Sequence, residues 1–363
     1  MLYQIALTMI HGVGYTHGRQ LLEYFGSAEA VFAEKERLLE KVPGIGVKTA
    51  AEIKRPEVIA RAEKELEFIQ KNNIKGLFIT DEEYPARLRE CADAPLFLYA
   101  KGTMDLNAKQ VISIVGTRNA TPYGRDHTEC LIADLSKAFP DILIVSGLAF
   151  GIDICAHKAA LRNNLPTVGV LAHGLDRIYP NVHRSTAIDM LDNGGLLTDF
   201  PSGTNPDKQN FVKRNRIVAG LSDATIVIES AEKGGSLITA DIAFSYSRDV
   251  FSIPGRTTDP QSSGCNKLIR ENKAGLITSA HDLIAAMRWE EPEVKSLQKE
   301  LPFMEEDDNP VIAVIRQHKE IHINDLAIQL DTTISELTLL LFELEMEGKI
   351  RALPGSRYEC CRG

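Results

Sequence analysis

No run of about 18 apolar residues occurs anywhere in this 363-residue chain, which excludes a membrane-spanning helix. Cysteine is sparse and unpaired. The six residues, at 91, 130, 155, 265, 360 and 361, form no C-x-x-C pair, so neither a disulfide scaffold nor a structural zinc site is expected. The P-loop pattern G-x-x-x-x-G-K-[ST] is missing. So is G-x-G-x-x-G followed by an acidic residue about 20 positions on, which removes the sequence support for ATP or a nicotinamide cofactor. No cofactor and no metal are expected. The opening MLYQIALTMIHGVG lacks the basic region and small-residue cleavage site of a secretory signal, so the expectation is a cytoplasmic chain.

What the chain does have is a series of glycine-rich turns at the ends of short apolar segments. They read IVGTRNATPYG (114–124), VSGLAFGID (145–153), AHGLDRIYP (172–180), SAEKGGSLITAD (230–241) and IPGRTTDPQSSGCNKLI (253–269). Glycine lets backbone N–H groups approach an anion, and helix N-termini add partial positive charge. Several such turns on one sheet edge make a shelf for a phosphorylated, polymeric ligand. The net charge of −9 argues against a nucleic acid only until its distribution is considered. Between Met287 and Asn309 eight acids face three cations, whereas KQNFVKRNR (208–216) carries four cations and no acid. A local patch sets the field a ligand feels; net charge mainly sets solubility.

Residues 1–72 read as a helical helix–hairpin–helix module, with MIHGVGYTHG and KVPGIGVKTA as its two glycine turns. Residues 73–288 read as an extended Rossmann-like, doubly wound α/β domain with a mostly parallel sheet. Its strands are IKGLFIT, LFLYAKG, VISIVG, ILIVSG, TVGVLAHG, GLLTDF, ATIVIES, DVFSIPG and GLITSA. In such sheets ligands bind beyond the carboxyl ends of the strands. An acidic linker follows over 289–308, and 309–363 reads as a winged-helix domain of three helices and a hairpin. The would-be recognition helix, from about Thr333 to Glu347, has four glutamates and no Lys or Arg, poor equipment for a major groove.

Individual residues carry alternatives. Arg118, just past a strand end, can fork onto a phosphate or cap a helix on the surface. Phe211, inside the basic cluster, can stack a base as single-strand binders do, or sit in the core of an amphipathic helix. Asn215 can bridge a phosphate. Asp153 and His157 share a helix face at i, i+4, and with no third ligand or nucleophile the reading is structural. His173 can face the site.

At these residues the chain resembles the DNA-processing protein A family (DprA, also called Smf), most densely over 114–270. The matching blocks are GTRNATPYG, SGLAFGID, GLDRIYP, KRNRIVAGLS, GGSLITADIA and IPG with SSGCNKLI. The resemblance implies a non-enzymatic protein that binds single-stranded DNA, protects incoming DNA in natural transformation, loads the RecA recombinase and works as a homodimer. By position it implies DNA-binding roles for Gly116, Thr117, Arg118, Ser146, Gly147, Lys208, Phe211, Lys213, Arg214, Asn215, Arg216, Gly235 and Ser236. The chain departs from the family pattern at Val212 for proline, Asn181 for lysine and Asp199 for glutamate. The alternative is a nucleotide phosphoribohydrolase of the lysine-decarboxylase-like group, from whose motif only Asp241 is kept in kind.

Overall fold

The nine short apolar segments all become strands of one sheet. They are β1 (Lys75–Phe78), β2 (Phe97–Gly102), β3 (Val111–Val115), β4 (Leu143–Ser146), β5 (Thr167–Val170), β6 (Gly194–Thr198), β7 (Ala224–Val227), β8 (Asp249–Ser252) and β9 (Gly275–Leu276). The computed structural model describes residues 1–290, 309–318, 320–346, 349–353 and 355–360. The acidic linker expected over 289–308 therefore lies outside the described residues, apart from its first two. Strand order is β1-β2-β6-β5-β4-β3-β7-β8-β9. β3 to β9 are parallel, and the β1–β2 hairpin joins antiparallel at the β6 edge. Every residue of β3, β4, β5 and β7 is buried. Helices cover both faces, which is why these segments show no polar alternation.

The chain winds from β3 outward to β6, then returns to place β7 on the other side of β3. This reversal opens a crevice at the carboxyl ends of β3, β4 and β7. The helices that follow those strands, Pro122–Ala138, Ile152–Arg162 and Gly235–Ser245, aim their N-termini toward that end.

The first 71 residues are helical and pack with the sheet into one compact unit, Met1–Pro292. Helices Leu2–Met9 and Pro56–Lys71 lie against each other and bury Ile5, Leu7, Ala62 and Ile69. One buried carboxylate ties this layer to the loop after β6. Glu65, fully buried, accepts from the Ser202 backbone N–H at 2.8 Å and its hydroxyl at 2.6 Å, and pairs with Arg61 at 2.9 Å. A buried carboxylate persists only with such a set of donors.

His157 shows how the sheet fixes a neutral imidazole. Thr167 spends its one hydroxyl proton on the Ile144 carbonyl at 3.0 Å, so His157 Nδ1, 2.7 Å from the same oxygen, must be the donor. Nε2 is buried with no partner. A second proton would have no acceptor, and burial, helped by the positive charges of Arg214 and His183, pushes the imidazole down to about 3. Its unfolded counterpart titrates near 6.5. Between those values the unfolded chain binds the proton and the folded chain does not, so stability should fall as pH drops through that window. Denaturation midpoints measured across it should show a shallower decline for His157→Asn than for the parent; parallel curves would refute this assignment.

The second unit, Glu293–Gly363, is built on helices Pro310–His318, Ile323–Gln329 and Ile334–Met346 around Ile315, Leu326, Leu337 and Leu341. β10 (Glu320–His322), β11 (Ile350–Leu353) and β12 (Arg357–Cys360) form an antiparallel sheet in the order β10-β12-β11. The expected hairpin thus gains a third strand, because Ile321 pairs across from Tyr358. On helix Ile334–Met346, Leu339, Phe342 and Met346 are 66%, 62% and 75% exposed beside Glu336, Glu343 and Glu345. That surface is acidic and apolar, opposite to what a phosphate backbone attracts.

Candidate nucleic-acid interface

At the strand reversal lies a groove of about 560 Å³. One wall is the turn after β3, with Gly116, Thr117 and Arg118; another is helix Lys208–Gly220, which contributes Lys208, Phe211, Val212, Arg214 and Asn215. Gly147 comes from the turn after β4, Asp153 from the first turn of helix Ile152–Arg162, and Gly234, Gly235, Ser236, Ile238 and Thr239 from the start of helix Gly235–Ser245. Three helices begin at this groove without a side-chain cap; at Ile152–Arg162 the first N–H groups donate to the Thr117 and Ala149 carbonyls, which leaves the starts of Lys208–Gly220 and Gly235–Ser245 to offer N–H groups to an anion.

The turn that carries Arg118 is anchored from below. Glu229, fully buried at the end of β7, accepts from the Thr121 N–H at 2.9 Å and from its hydroxyl, while its own carbonyl accepts from Thr117 N–H at 2.7 Å. With the loop so held, the exposed Arg118 guanidinium lies 5.3 Å from the centre of the Phe211 ring. The Tyr179 ring centre is 6.1 Å from that of Phe211. Phe211 is half-buried at the groove wall, with a cation and a second aromatic as neighbours. Lys208 starts the same helix and is exposed. Cations, an aromatic ring and uncapped helix starts in one groove, with a second ring beside the first, suit a ligand that alternates phosphates with flat rings.

The site residues expected from sequence do not all meet here. Ser146 is fully buried and donates its hydroxyl to the Ile114 carbonyl at 2.6 Å, so it is spent inside the sheet. Arg214 is almost fully buried and donates to the Gly147 carbonyl at 2.6 Å and to that of Val170. It forms the floor of the groove and is not a free cation there. Burial raises the Asp153 carboxyl above its ordinary range, with Arg214 acting in the opposite direction. Arg216 points to the other side of its helix, where it pairs with Asp199 at 2.7 Å and donates to the Asp93 carbonyl. Lys213 is exposed on that same side. His173 is buried against the Gly174 carbonyl at 2.9 Å, away from the groove. Tyr179 was not singled out, because the IYP turn reads as loop geometry; an aromatic beside a glycine-rich turn was the available signal.

Asp241, the carboxylate on which the hydrolase alternative depends, is exposed and paired with Lys273 at 2.8 Å. It does not line the groove, so the hydrolase alternative has no motif carboxylate at the site to rest on. Among the described residues no group of three or more His, Cys, Asp or Glu is placed to hold a metal ion.

The model of the DNA recombination-mediator protein A family matches residues 75–288. The chain belongs to that family. A SAM-like helix–hairpin–helix tandem matches 5–55 and a DprA winged helix domain matches 298–356. Protein Smf of Synechocystis is 31% identical, over 98% of each chain. The crystal structure of DNA processing protein A from Streptococcus pneumoniae aligns with a TM-score of 0.65 at 32% identity, covering 78% of this chain and 97% of that one. DNA processing protein A from Helicobacter pylori, whose structure addresses its single-stranded DNA binding mode, aligns with a TM-score of 0.53 at 30% identity over 59% and 95%. Membership fixes the architecture as helix–hairpin–helix module, Rossmann-like sheet and winged helix.

The surroundings of Phe211 favour the stacking reading over the core one. A core phenylalanine would be enclosed by aliphatic side chains, yet this ring meets Arg118 and Tyr179 beside the groove. Phe211→Ala should therefore cost about 1–3 kcal/mol of oligonucleotide affinity, the worth of one base stack, and leave the melting temperature nearly unchanged. A large drop in melting temperature with affinity preserved would reverse that assignment.

Proposed function

We propose that this protein is a single-stranded-DNA-binding recombination mediator. Its groove holds the strand with phosphates at Arg118, Lys208 and the uncapped helix N-termini, and a base against Phe211 and Tyr179. The observation that carries this reading is the Arg118–Phe211–Tyr179 cluster at the strand reversal. Stacking on a ring is tolerant of sequence, and phosphate contacts are blind to it, so binding should be general for single strands. A duplex keeps its bases stacked inside and cannot offer them to Phe211.

Held in this way, the strand would be handed to a RecA-type recombinase, with the protein acting as a cytoplasmic homodimer during the uptake of transforming DNA. Recombinase ATP hydrolysis on a strand coated with single-strand-binding protein measures this directly. The full chain should shorten the lag, and the Arg118→Ala/Lys208→Ala protein should not; an unchanged lag with the full chain would count against mediation. The winged helix contributes to a protein contact in this account. Deleting 289–363 should leave oligonucleotide affinity within about twofold, because the exposed face of helix Ile334–Met346 carries no cation. A collapse of binding in the truncated protein would overturn that division of labour.

A further inference from the structure

A second cavity, of about 550 Å³, lies within the same compact unit beyond the ridge made by Val212. Val212 is 45% exposed and lines both spaces. On helix Gly235–Ser245, Ile238 faces the groove and Ile242, one turn further on, faces the second cavity. The two spaces are therefore neighbours along one path between two helices, offset by ~6 Å along the helix axis.

The chemistry of the second cavity differs from that of the groove. Its far wall comes from the helical module, at Thr8 and Tyr15, and its near wall holds Phe200 and Ile242. Arg216 is already neutralised there by Asp199 and covered by the Tyr15 ring, whose centre is 5.4 Å from the guanidinium. Lys213 is left exposed at the rim. Arg216 and Asp199 thus cancel, the Asp93 carboxylate is engaged by the Tyr246 hydroxyl, the remaining walls are largely apolar and aromatic, and one cation stands at the entrance. That suits a flat heterocycle inside with its phosphate outside, and its volume falls in the range of small-molecule sites, about 300–1,000 Å³.

We infer that this cavity is a second base subsite, which receives a nucleotide of the same single strand after it crosses Val212. The helical module thereby contributes directly to strand binding, through Tyr15 and Thr8. The inference rests on the groove being the primary single-strand site.

The test compares a short oligothymidylate, which fills only the groove, with one several nucleotides longer. Thr8 is exposed, so charge changes there should leave the fold intact. Thr8→Glu should weaken binding of the long oligonucleotide by about fivefold or more while Thr8→Lys tightens it, and neither should alter the short one. Tyr15→Ala should behave like Thr8→Glu. Unchanged affinity at both lengths would overturn the inference, as would equal losses at both lengths or shifts of the same sign for Thr8→Glu and Thr8→Lys. Loss of recombinase stimulation with unchanged DNA affinity would likewise overturn it, and would assign the cavity to a protein partner. Failure of the parent protein to bind either oligonucleotide would instead sink the groove itself.

Discussion

Replacing Arg118 and Lys208 together by alanine should reduce single-strand affinity more than any other surface change in this molecule. Both side chains are exposed at the groove, and neither takes part in an ion pair among the described residues. A charge-assisted contact to phosphate is worth about 1.5–3 kcal/mol, so each substitution should weaken binding by roughly tenfold or more. Each should also lower the salt slope of log K by about 0.7, the counterion term for one phosphate of a single strand. Arg118→Lys separates charge from geometry. It keeps the salt slope but loses the planar group beside Phe211, so its affinity should fall between parent and alanine. Arg118 and Phe211 also touch, so their double substitution should cost less than the two single effects combined. Isotherms that match the parent at every salt concentration would remove this groove from consideration.

Arg214→Met should produce the largest loss of stability, although the residue belongs to the most basic stretch of the sequence. Its guanidinium is buried, donates to two backbone carbonyls and offsets the buried carboxyl of Asp153. Methionine fills similar space but leaves the Gly147 and Val170 carbonyls without that donor, and Asp153 without its opposing charge. Removing one member of a buried charged set typically costs about 3–5 kcal/mol. An unfolding free energy lower by that amount, seen as a lower denaturant midpoint, is expected, with weaker DNA binding as the floor of the groove loosens. Adding Asp153→Asn should restore part of the loss, since the uncompensated charge is then gone. A midpoint equal to the parent's would show that Arg214 is a surface cation after all.

Those two residues show what could and could not be read from sequence. Arg118 was legible because a strand end places its side chain over the crevice. Arg214 and Arg216 were read as groove cations along with Lys213, since composition cannot tell which face of a helix is covered. Arg214 faces the sheet, and Arg216 faces the helical layer. The glycines carry the same lesson. Gly147 was read as a point of close backbone approach to a phosphate; in the fold, a Cβ there would collide with the Arg214 guanidinium. Its smallness serves the protein's own packing. Gly151 is different again, with φ +76 and the Thr117 carbonyl where a side chain would go.

The nine strands were legible because a doubly covered parallel sheet demands short, continuous apolar runs, and the chain supplies them between helical stretches. The third strand of the winged helix was not, since Glu320–His322 is only three residues long, too short for its polar–apolar–polar pattern to stand out. The second cavity was invisible for a related reason. Tyr15 and Arg216 lie far apart in the chain, and only packing of the helical layer against the sheet brings them together.

The central claim is that the crevice at the β3–β7 reversal tracks phosphates and stacks bases of a single strand. Fluorescence anisotropy of a labelled oligothymidylate, beside a duplex of the same length and over several salt concentrations, tests it most directly. The account predicts tight single-strand binding that weakens steeply with salt, and much weaker duplex binding. Equal affinity for both forms, or no binding to either by the folded protein, would contradict it.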